Sequence, residues 1–292
     1  MPKQPLMSIK AFYSPHYAAA DTPTLARLGI VAKRLRDLPG IELLEPSPLD
    51  RGKLLGLHQA DYLLAFHEGI EPLASSQGVR WSPTVRNAFY WMLSGQLLAS
   101  EQAMESGIAI NLARGFHHAV FERGSGYCAL NGIALLAHHR PDHKVFVIDC
   151  DEHGGNGTEE FAQRLENLYQ GSIFGTRFGC LGHQRAWNYL VHVADDGFQR
   201  YLDSISEIRQ HIVDTRPDLL VFQAGVDCHR DDPKSRVGLS SAQLEQRDRK
   251  VIGIAHDLGI PLLIVLGGGY QDPERLAALN IGTLQAALDV FG

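Results

Sequence analysis

Apolar runs and stretches of helical spacing alternate along most of the 292-residue chain. The run V-F-V-I at 145–148 is typical of a parallel strand covered on both faces, because both sets of alternating side chains are apolar. Helical spacing is clearest from Ser82 to Met104, and Ser82 followed by Pro83 is typical of a helix start. This alternation predicts an α/β fold with a mostly parallel central sheet flanked by helices.

The apolar runs and helical spacing also predict the remaining strands and helices along the chain. The predicted strands are 8–14, 41–44, 108–112, 145–149, 172–175, 190–193, 218–224 and 261–266. The predicted helices are 24–38, 58–67, 82–104, one that ends near 136, 158–168, 197–215, 240–258 and one that begins after Asp272. Helix starts are expected at Thr22 with Pro23, at Ser240 with Gln243 and at Asp272 with Pro273. No linker or repeat is evident, so we predict that residues 1–292 form a single domain.

The composition argues against some classes of function but does not identify one. A hydrophobic content of 45% and a charged content of 21% are ordinary for a globular protein, and a net charge of −6 without a basic block argues against nucleic-acid binding. The first residues lack a signal-peptide core, and no apolar run reaches 18 residues, so we expect a cytoplasmic protein without a membrane partner. Nothing in the sequence indicates an oligomeric state. His58 and His67 are interpreted as surface or capping histidines.

The cysteines also exclude two classes of protein. Cys128, Cys150, Cys180 and Cys228 form no C-x-x-C pair and no dense framework. A structural zinc site and a disulfide scaffold are therefore not indicated. We expect the four thiols to be reduced and mostly buried.

Residues that could bind a metal or take part in catalysis lie at the ends of three of the predicted strands. Asp149, Asp151 and His153 are spaced two apart, so their side chains can converge on one side of an extended chain. That pattern alone is equally compatible with a strand that ends in acidic residues. Asp227 follows a second strand, and Tyr270 follows a third strand through three glycines. Because open α/β sheets bind ligands at the carboxyl ends of their strands, these residues are expected to meet.

The loop after the strand at 108–112 carries two adjacent histidines, His117 and His118. Neighbouring side chains point in different directions, so the pair is better suited to two hydrogen-bonding roles than to chelation. One histidine and two carboxylates with an open position are typical of a catalytic zinc site. A water at such a metal is acidic, and a histidine beside it can accept the proton. Tyr127 is either a core aromatic or a pocket wall, and Gly126 permits a close backbone approach.

Five motifs in order carry a family resemblance over about 108–270. They are G-F-H-H-A, G-S-G-Y-C-A-L-N, D-C-D-E-H-G-G-N-G-T, Q-A-G-V-D and L-G-G-G-Y. Together they resemble the zinc-dependent histone deacetylase family, which has the arginase/deacetylase fold. A-I-N before the histidines and G-L-S after Asp227 are most similar to the class IV branch and its bacterial relatives.

The resemblance implies a zinc-dependent amidohydrolase that removes acetyl or other acyl groups from lysine-like amines. It implies zinc ligation by Asp151, His153 and Asp227, acid–base roles for His117 and His118 oriented by Asp149 and Asn156, an oxyanion donor in Tyr270, and a channel lined by Gly126 and Tyr127. The family also commonly holds a potassium ion at Asp149, Asp151 and His153.

The sequence departs from the family pattern at two places. Gly154 stands where many members have a second histidine, and the opposite channel wall has no clear match, with Phe178 as a candidate. Three alternatives stay open: a deacetylase of small acetylated amines or polyamines, an arginase-like dimetal ureohydrolase, and an inactive acyl-lysine reader. The dimetal alternative is disfavoured because Gly155 and His229 stand where further ligands are required. An inactive acyl-lysine reader is disfavoured because binding alone does not require Tyr270 and both histidines.

Overall fold

A computed structural model describes residues 8–18 and 23–292 of the chain. Its centre is one eight-stranded sheet. The strands are β1 (Ile9–Phe12), β2 (Ile41–Leu44), β3 (Ile108–Asn111), β4 (Val145–Asp149), β5 (Leu168–Phe174), β6 (Ala186–Leu190), β7 (Leu219–Ala224) and β8 (Leu262–Leu266). Their order in the sheet is β2-β1-β3-β8-β7-β4-β5-β6, and every pairing of neighbouring strands is parallel. The expected mostly parallel sheet is confirmed.

Helices follow most of the strands and pack in two groups. The helices are α1 (Pro23–Leu35), α2 (Ala60–Glu68), α3 (Pro83–Ser106), α4 (Gly132–His139), α5 (Asn156–Arg164), α6 (Val193–Thr215), α7 (Ser241–Leu258) and α8 (Pro273–Phe291). Helix α1 packs on α8, α8 on α7 and α7 on α6, while α3 packs on α4 and α4 on α5. With helices over both faces, every residue of β4, β7 and β8 is buried.

The predicted helix starts have the expected caps where the structure describes them. The Ser82 side chain accepts a hydrogen bond from the Val85 amide, and Ser240 forms a reciprocal capping box with Gln243. Asp272 caps α8 in the same way. The Thr22 cap expected before α1 lies outside the described residues. Because these hydrogen bonds join residues close in sequence, the capping residues predicted where the helices start.

Prediction was poorest at one edge of the sheet. Strand β6 is 186–190 rather than 190–193, and β5 begins at Leu168, which the sequence had placed at the end of a helix. As an edge strand, β6 is only partly buried and lacks an unbroken apolar run. Helix α6 starts before the predicted position and contains a kink at Gly197, where φ is 77°. The other edge strand, β2, is also only partly buried, yet its bounds are those predicted, so the error is specific to the β5–β6 side of the sheet.

His58 is not the surface or capping histidine that the sequence indicated. It is 2% exposed, its Nδ1 lies 2.9 Å from the Val120 carbonyl oxygen, and its Nε2 accepts the amide proton of Asn131 at 3.0 Å. Burial lowers its pKa to about 4, against a smaller opposing effect of the backbone carbonyl groups. A neutral imidazole therefore joins the start of α4 to the loop after the paired histidines.

All four cysteines are buried and free, as expected. Among the described residues, no helix is both long and apolar enough to cross a membrane. The loops that matter for function follow β3, β8, β7 and β4, which are adjacent in the sheet. Because all the strands run in the same direction, these four loops lie together at the carboxyl ends of the strands.

Candidate metal and catalytic site

Asp151, His153 and Asp227 meet at the carboxyl ends of β4 and β7. One potential ligand atom from each lies within 4.8 Å of the others. His153 Nδ1 lies 3.3 Å from an oxygen of each carboxylate, Asp151 Oδ1 and Asp227 Oδ2. Both aspartates are almost completely buried. The structure thus brings together the three residues that the resemblance implied as ligands.

Backbone amides donate hydrogen bonds to the carboxylates of Asp151 and Asp227. The Gly268 amide donates to Asp151 Oδ2 at 2.6 Å, and the Glu152 amide donates to Asp227 Oδ1 at 3.0 Å. A β-carbon at Gly268 would lie 2.0 Å from Asp227 Oδ2 and 2.8 Å from Asp151 Oδ2. Glycine is required there because the β8 loop passes directly against both side chains.

The residues fit a divalent metal ion. Asp227 Oδ2 is buried and lacks a hydrogen-bond partner, although His153 Nδ1 is nearby, so this oxygen is left for another ligand. One imidazole and two carboxylates are a donor set typical of catalytic zinc. Burial and the neighbouring Asp151 charge raise the pKa of Asp227 to about 7. A cation that binds there competes with a proton, as expected for a carboxylate metal site.

His117 and His118 lie beside this cluster with different partners. His117 Nδ1 is 2.7 Å from Asp149 Oδ2, and His118 Nδ1 is 2.8 Å from Asn156 Oδ1. The two imidazole rings are 3.9 Å apart between centroids. The structure therefore brings each histidine to the partner that the resemblance assigned to it.

The different partners give the two imidazoles opposite pKa shifts. Burial lowers the pKa of His117, but the charges of Asp149 and Asp151 outweigh burial and raise it overall. Burial and the adjacent His117 lower the pKa of His118 well below its usual range. Near neutral pH this arrangement favours a charged His117 and a neutral His118 that can accept a proton.

Tyr270 faces the cluster from the β8 loop. Its ring centroid lies 6.1 Å from that of His153, and its backbone amide donates to Asp232 Oδ2 at 2.7 Å. Burial raises the pKa of the phenol, so the hydroxyl keeps its proton and remains a donor. Asp232 was not singled out in the sequence, where its role in holding this loop has no distinguishing pattern.

Aromatic side chains lie near the histidines and Tyr270. The Phe178 ring is tilted against the His118 ring with centroids 4.1 Å apart, so Phe178 stays the candidate for the wall that the sequence left open. The Tyr127 ring centroid lies 6.4 Å from that of Tyr270. Both Phe178 and Tyr127 are partly exposed. A β-carbon at Gly126 would lie 2.4 Å from the His118 ring, so the close backbone approach is to this histidine.

Two positions that the sequence singled out, Gly154 and His229, have local explanations. A β-carbon at Gly154 would lie 2.6 Å from the Arg177 carbonyl oxygen and 2.7 Å from Cys180 Sγ, so a histidine does not fit there. His229, at the position of a possible second metal ligand, is 3.0 Å from Ser241 Oγ. In the described part of the chain, three residues form the metal cluster, and His229 is not among them.

Sequence reasoning missed a buried arginine at this site. A narrow cleft is lined by Arg114 as well as His117, His118, Asp151 and Tyr270. Arg114 lies directly before the paired-histidine motif, but one residue next to a motif carries no signal of its own. Only the fold shows that its side chain belongs to the site.

The chain is similar to known proteins over most of its length. Residues 23–285 match the family model of the histone deacetylase domain. Histone deacetylase 2 of Arabidopsis thaliana is 29% identical over 263 residues, which cover 84% of this chain and 67% of that protein. Acetylpolyamine amidohydrolase 1 of Pseudomonas aeruginosa is 28% identical over 193 residues, which cover 56% of this chain and 51% of that protein.

A solved structure supports the same assignment at the level of fold. The acetylpolyamine aminohydrolase of Burkholderia pseudomallei superimposes with a TM-score of 0.76 over 96% of this chain and 98% of that one, at 21% identity. The expected arginase/deacetylase fold is therefore confirmed. The family model covers far more than half of the sequence, and the chain belongs to the histone deacetylase family.

Proposed function

We propose that this protein is a zinc-dependent deacetylase that hydrolyses the amide of an acylated lysine or a small acylated amine. The observation that carries the proposal is that two differently paired histidines lie beside the ligand cluster, with His117 Nε2 3.8 Å from Asp151 Oδ1. Asp151, His153 and Asp227 are the proposed zinc ligands. When bound, Zn²⁺ would supply a Lewis acid that polarises the amide carbonyl and makes a water more acidic.

The chain's own residues then divide the proton transfers. Neutral His118, oriented by Asn156, accepts a proton from the attacking water. His117, kept charged by Asp149, stabilises negative charge and supplies a proton to the departing amine. The water oxygen forms the new bond to the acyl carbon, the carbon–nitrogen bond breaks, and a carboxylate and an amine result.

Tyr270 is the proposed second donor to the oxyanion that develops on the carbonyl oxygen. Its raised pKa keeps the phenol protonated, and the Asp232 contact fixes its loop. Preorganised donors of this kind stabilise the transition state more than the substrate. Gly126, Tyr127 and Phe178 are proposed to line the channel for an extended amine chain.

The substrate is proposed at the level of chemical class. The relatives include named histone deacetylases and an acetylpolyamine amidohydrolase, which favours both protein lysine and small amines as the acylated partner. Purified zinc-loaded protein should be tested with acetylated peptides and acetylated polyamines, each with several acyl lengths. If the protein hydrolyses neither the peptides nor the polyamines, the proposal is contradicted.

Variants of the two histidines test the assigned roles. We expect His118→Ala to lower turnover by about a hundredfold to ten-thousandfold, the usual contribution of a positioned base. Near wild-type turnover in His118→Ala, together with an inactive His117→Ala, would require the roles to be exchanged.

A potassium ion beside the zinc strand is proposed as a second cation. Ser172 pairs with Asp149 across β5 and β4, and its buried hydroxyl has no hydrogen-bond partner in the described part of the chain. Thermal stability should depend on potassium if this site binds it. Equal stability in potassium and in tetramethylammonium would contradict the site.

We further propose that residues 1–292 form one catalytic domain, because the loops that carry the site residues all adjoin strands of a single sheet. The cytoplasmic location stays a prediction.

A further inference from the structure

The loop that carries Phe178 joins β5 to β6, and little of it is buried. Of residues 176–185, all of which the structure describes, Cys180 alone is buried. Phe178 is 39% exposed and Leu181 is 86% exposed. Apolar packing therefore contributes little to the position of this loop, although the Phe178 ring centroid lies only 4.1 Å from that of His118.

The backbone conformation of Phe178 also needs support from outside the loop. Its φ is 49°, in the left-handed region that is unfavourable for a residue with a side chain, and Gly179 follows with a φ of 88°. A conformation of this kind persists only where the surrounding contacts fix it. The Cys180 amide donates to the Arg177 carbonyl at 3.0 Å and closes the turn, but this bond does not join the loop to the rest of the protein.

Glu159, a buried residue of α5, holds the end of the loop that follows Phe178. Its Oε1 accepts hydrogen bonds from the Leu181 and Gly182 amides at 2.8 and 2.9 Å, and its Oε2 accepts one from Asn188 Nδ2 at 2.7 Å. Three donors that meet both oxygens match a carboxylate, which only accepts hydrogen bonds. One side chain thus joins two consecutive amides of the loop to strand β6.

A second buried glutamate holds the other end of the loop. Glu152 Oε1 accepts a hydrogen bond from Thr176 Oγ1 at 2.9 Å, and its Oε2 accepts one from the Val237 amide at 3.1 Å. The Glu152 carbonyl oxygen also accepts the amides of Gly175 and Thr176, at 3.1 and 2.9 Å. Phe178 therefore lies between two ends that are both fixed to buried carboxylates.

Both glutamates belong to the segment that supplies the candidate site. Glu152 stands directly before His153, and Glu159 is three residues after Asn156. The Phe178 ring centroid lies 5.8 Å from that of His153. The segment that carries these site residues thus also determines where the Phe178 ring lies relative to them.

We propose that Glu159 is a positioning residue that sets the channel wall formed by Phe178, and that Glu152 fixes the opposite end of the same loop. Both glutamates act through Phe178 and not on the substrate. This role rests on the proposed function, because it requires an extended amine chain to pass Phe178. It also adds a specificity. A wall held at both ends should admit an unbranched amine chain and reject one with a branch next to the acylated nitrogen.

Hydrogen–deuterium exchange, resolved by amide, tests the positioning without turnover. Glu159→Met keeps the length of the side chain and removes its acceptors, so the Leu181 and Gly182 amides should exchange at least about tenfold faster than in wild type. Glu159→Gln should retain most of the protection. Its amide oxygen can accept from the loop, while Asn188 can turn its buried Oδ1, which has no partner among the described residues, toward the new NH₂ group.

Kinetics of the zinc-loaded protein test whether Glu159 acts through Phe178. A peptide with acetyl-lysine is compared with one that carries an additional methyl group on the ε-carbon of that lysine. Glu159→Met should lower kcat/KM for the unbranched peptide by about tenfold and weaken the preference for it. Glu159→Gln should restore most of that preference. Glu166→Met, an exposed change after α5, is the matched control and should behave as wild type.

The double variant of Glu159→Met with Phe178→Ala separates positioning from a general structural role. It should match Phe178→Ala alone, because Glu159 has nothing further to act on once the ring is absent. Losses of kcat/KM that add in the double variant would overturn the positioning role. Zinc content and circular dichroism must match among the proteins.

Unchanged exchange of both loop amides in folded Glu159→Met would overturn the positioning role, and so would faster exchange with an unchanged peptide preference. Should Glu159→Met not fold, Glu159→Asp withdraws the carboxylate from the loop by one carbon–carbon bond, and unchanged exchange or preference in Glu159→Asp would overturn the role as well. Protein that shows the expected exchange but hydrolyses neither peptide supports the positioning and contradicts only the proposed function. Active protein whose peptide preference is independent of Glu159 contradicts only the positioning role.

Discussion

His118 Nδ1 lies 2.8 Å from the neutral amide oxygen of Asn156, whereas the adjacent His117 contacts the carboxylate of Asp149. Two neighbouring imidazoles therefore differ in the charge of the group that orients them. The pKa of His118 is lowered by burial and by His117, so Asn156 orients this ring without reversing the shift. The pair provides the means to test which histidine is the base.

Asn156→Asp should move the acidic limb of the kcat/KM profile toward higher pH. A carboxylate beside His118 raises its pKa, so the ring stays protonated, and unable to accept a proton, up to a higher pH. The profile should be measured on zinc-loaded protein, with Asn87→Asp, an exposed change on α3, as the control. An unmoved limb, or one displaced to lower pH, would exclude His118 as the base that the profile reports.

Asp227→Ala should lose zinc while the fold persists. The carboxylate is one of three ligands, so its removal should weaken zinc binding by more than the roughly 10- to 100-fold typical of groups that merely support a ligand. Metal analysis after dialysis against a competing chelator measures the loss. Asp231→Asn removes a half-exposed carboxylate from the same loop and should keep its zinc. Undiminished zinc in Asp227→Ala would exclude this residue as a ligand.

The sheet and this cluster could be predicted because both depend on short sequence patterns. Buried strands such as β4 and β7 are unbroken apolar runs, and Asp151 and Asp227 directly follow them. Edge strand β6 lacks that pattern, since only two of its five residues, Ala186 and Tyr189, are buried. Its position therefore followed from its pairing with β5 and not from its own sequence.

Single residues whose importance depends on distant partners could not be predicted. Arg114 is buried, and its Nε and Nη2 atoms have no hydrogen-bond partner in the described part of the chain; neither property leaves a trace in the sequence. Asp232 accepts a hydrogen bond from the Tyr270 amide, 38 residues further along the chain, and Phe178, only a candidate from the sequence, is placed beside His118 by the fold. Their positions are products of the tertiary fold.

Tyr270→Phe should retain zinc and fold but lose most amide hydrolysis. Loss of one oxyanion donor usually lowers turnover by about a hundredfold to a thousandfold, or roughly 3 to 4 kcal/mol. Burial raises the pKa of the phenol, so the wild-type hydroxyl remains protonated through the ordinary pH range. Turnover above about a third of normal would indicate that Tyr270 is only a packing residue. Tyr127→Phe, at the exposed rim, removes the same hydroxyl and serves as the matched control.

His58 should make the free energy of unfolding depend on pH below neutrality. Its folded-state pKa is about 4, below the ordinary value of 6.5, because burial disfavours the charged ring and Nε2 is needed as the acceptor for Asn131. A lowered pKa means that the unfolded chain binds the proton more readily than the folded protein does. The stabilisation is therefore complete above about pH 6.5 and is lost progressively as the pH falls toward 4.

Across that window His58 should contribute a slope of up to about 1.4 kcal/mol per pH unit to the free energy of unfolding. Urea unfolding of wild type and His58→Gln at several pH values measures the contribution as a difference between slopes, so groups common to both proteins cancel. His256→Gln, which removes an exposed histidine, is the substitution control. The steeper slope should belong to wild type, because the glutamine has no proton to gain. Equal slopes between pH 6.5 and 4 would mean that His58 is protonated as readily in the folded protein as in the unfolded chain, contrary to the burial and hydrogen bonds that enclose it.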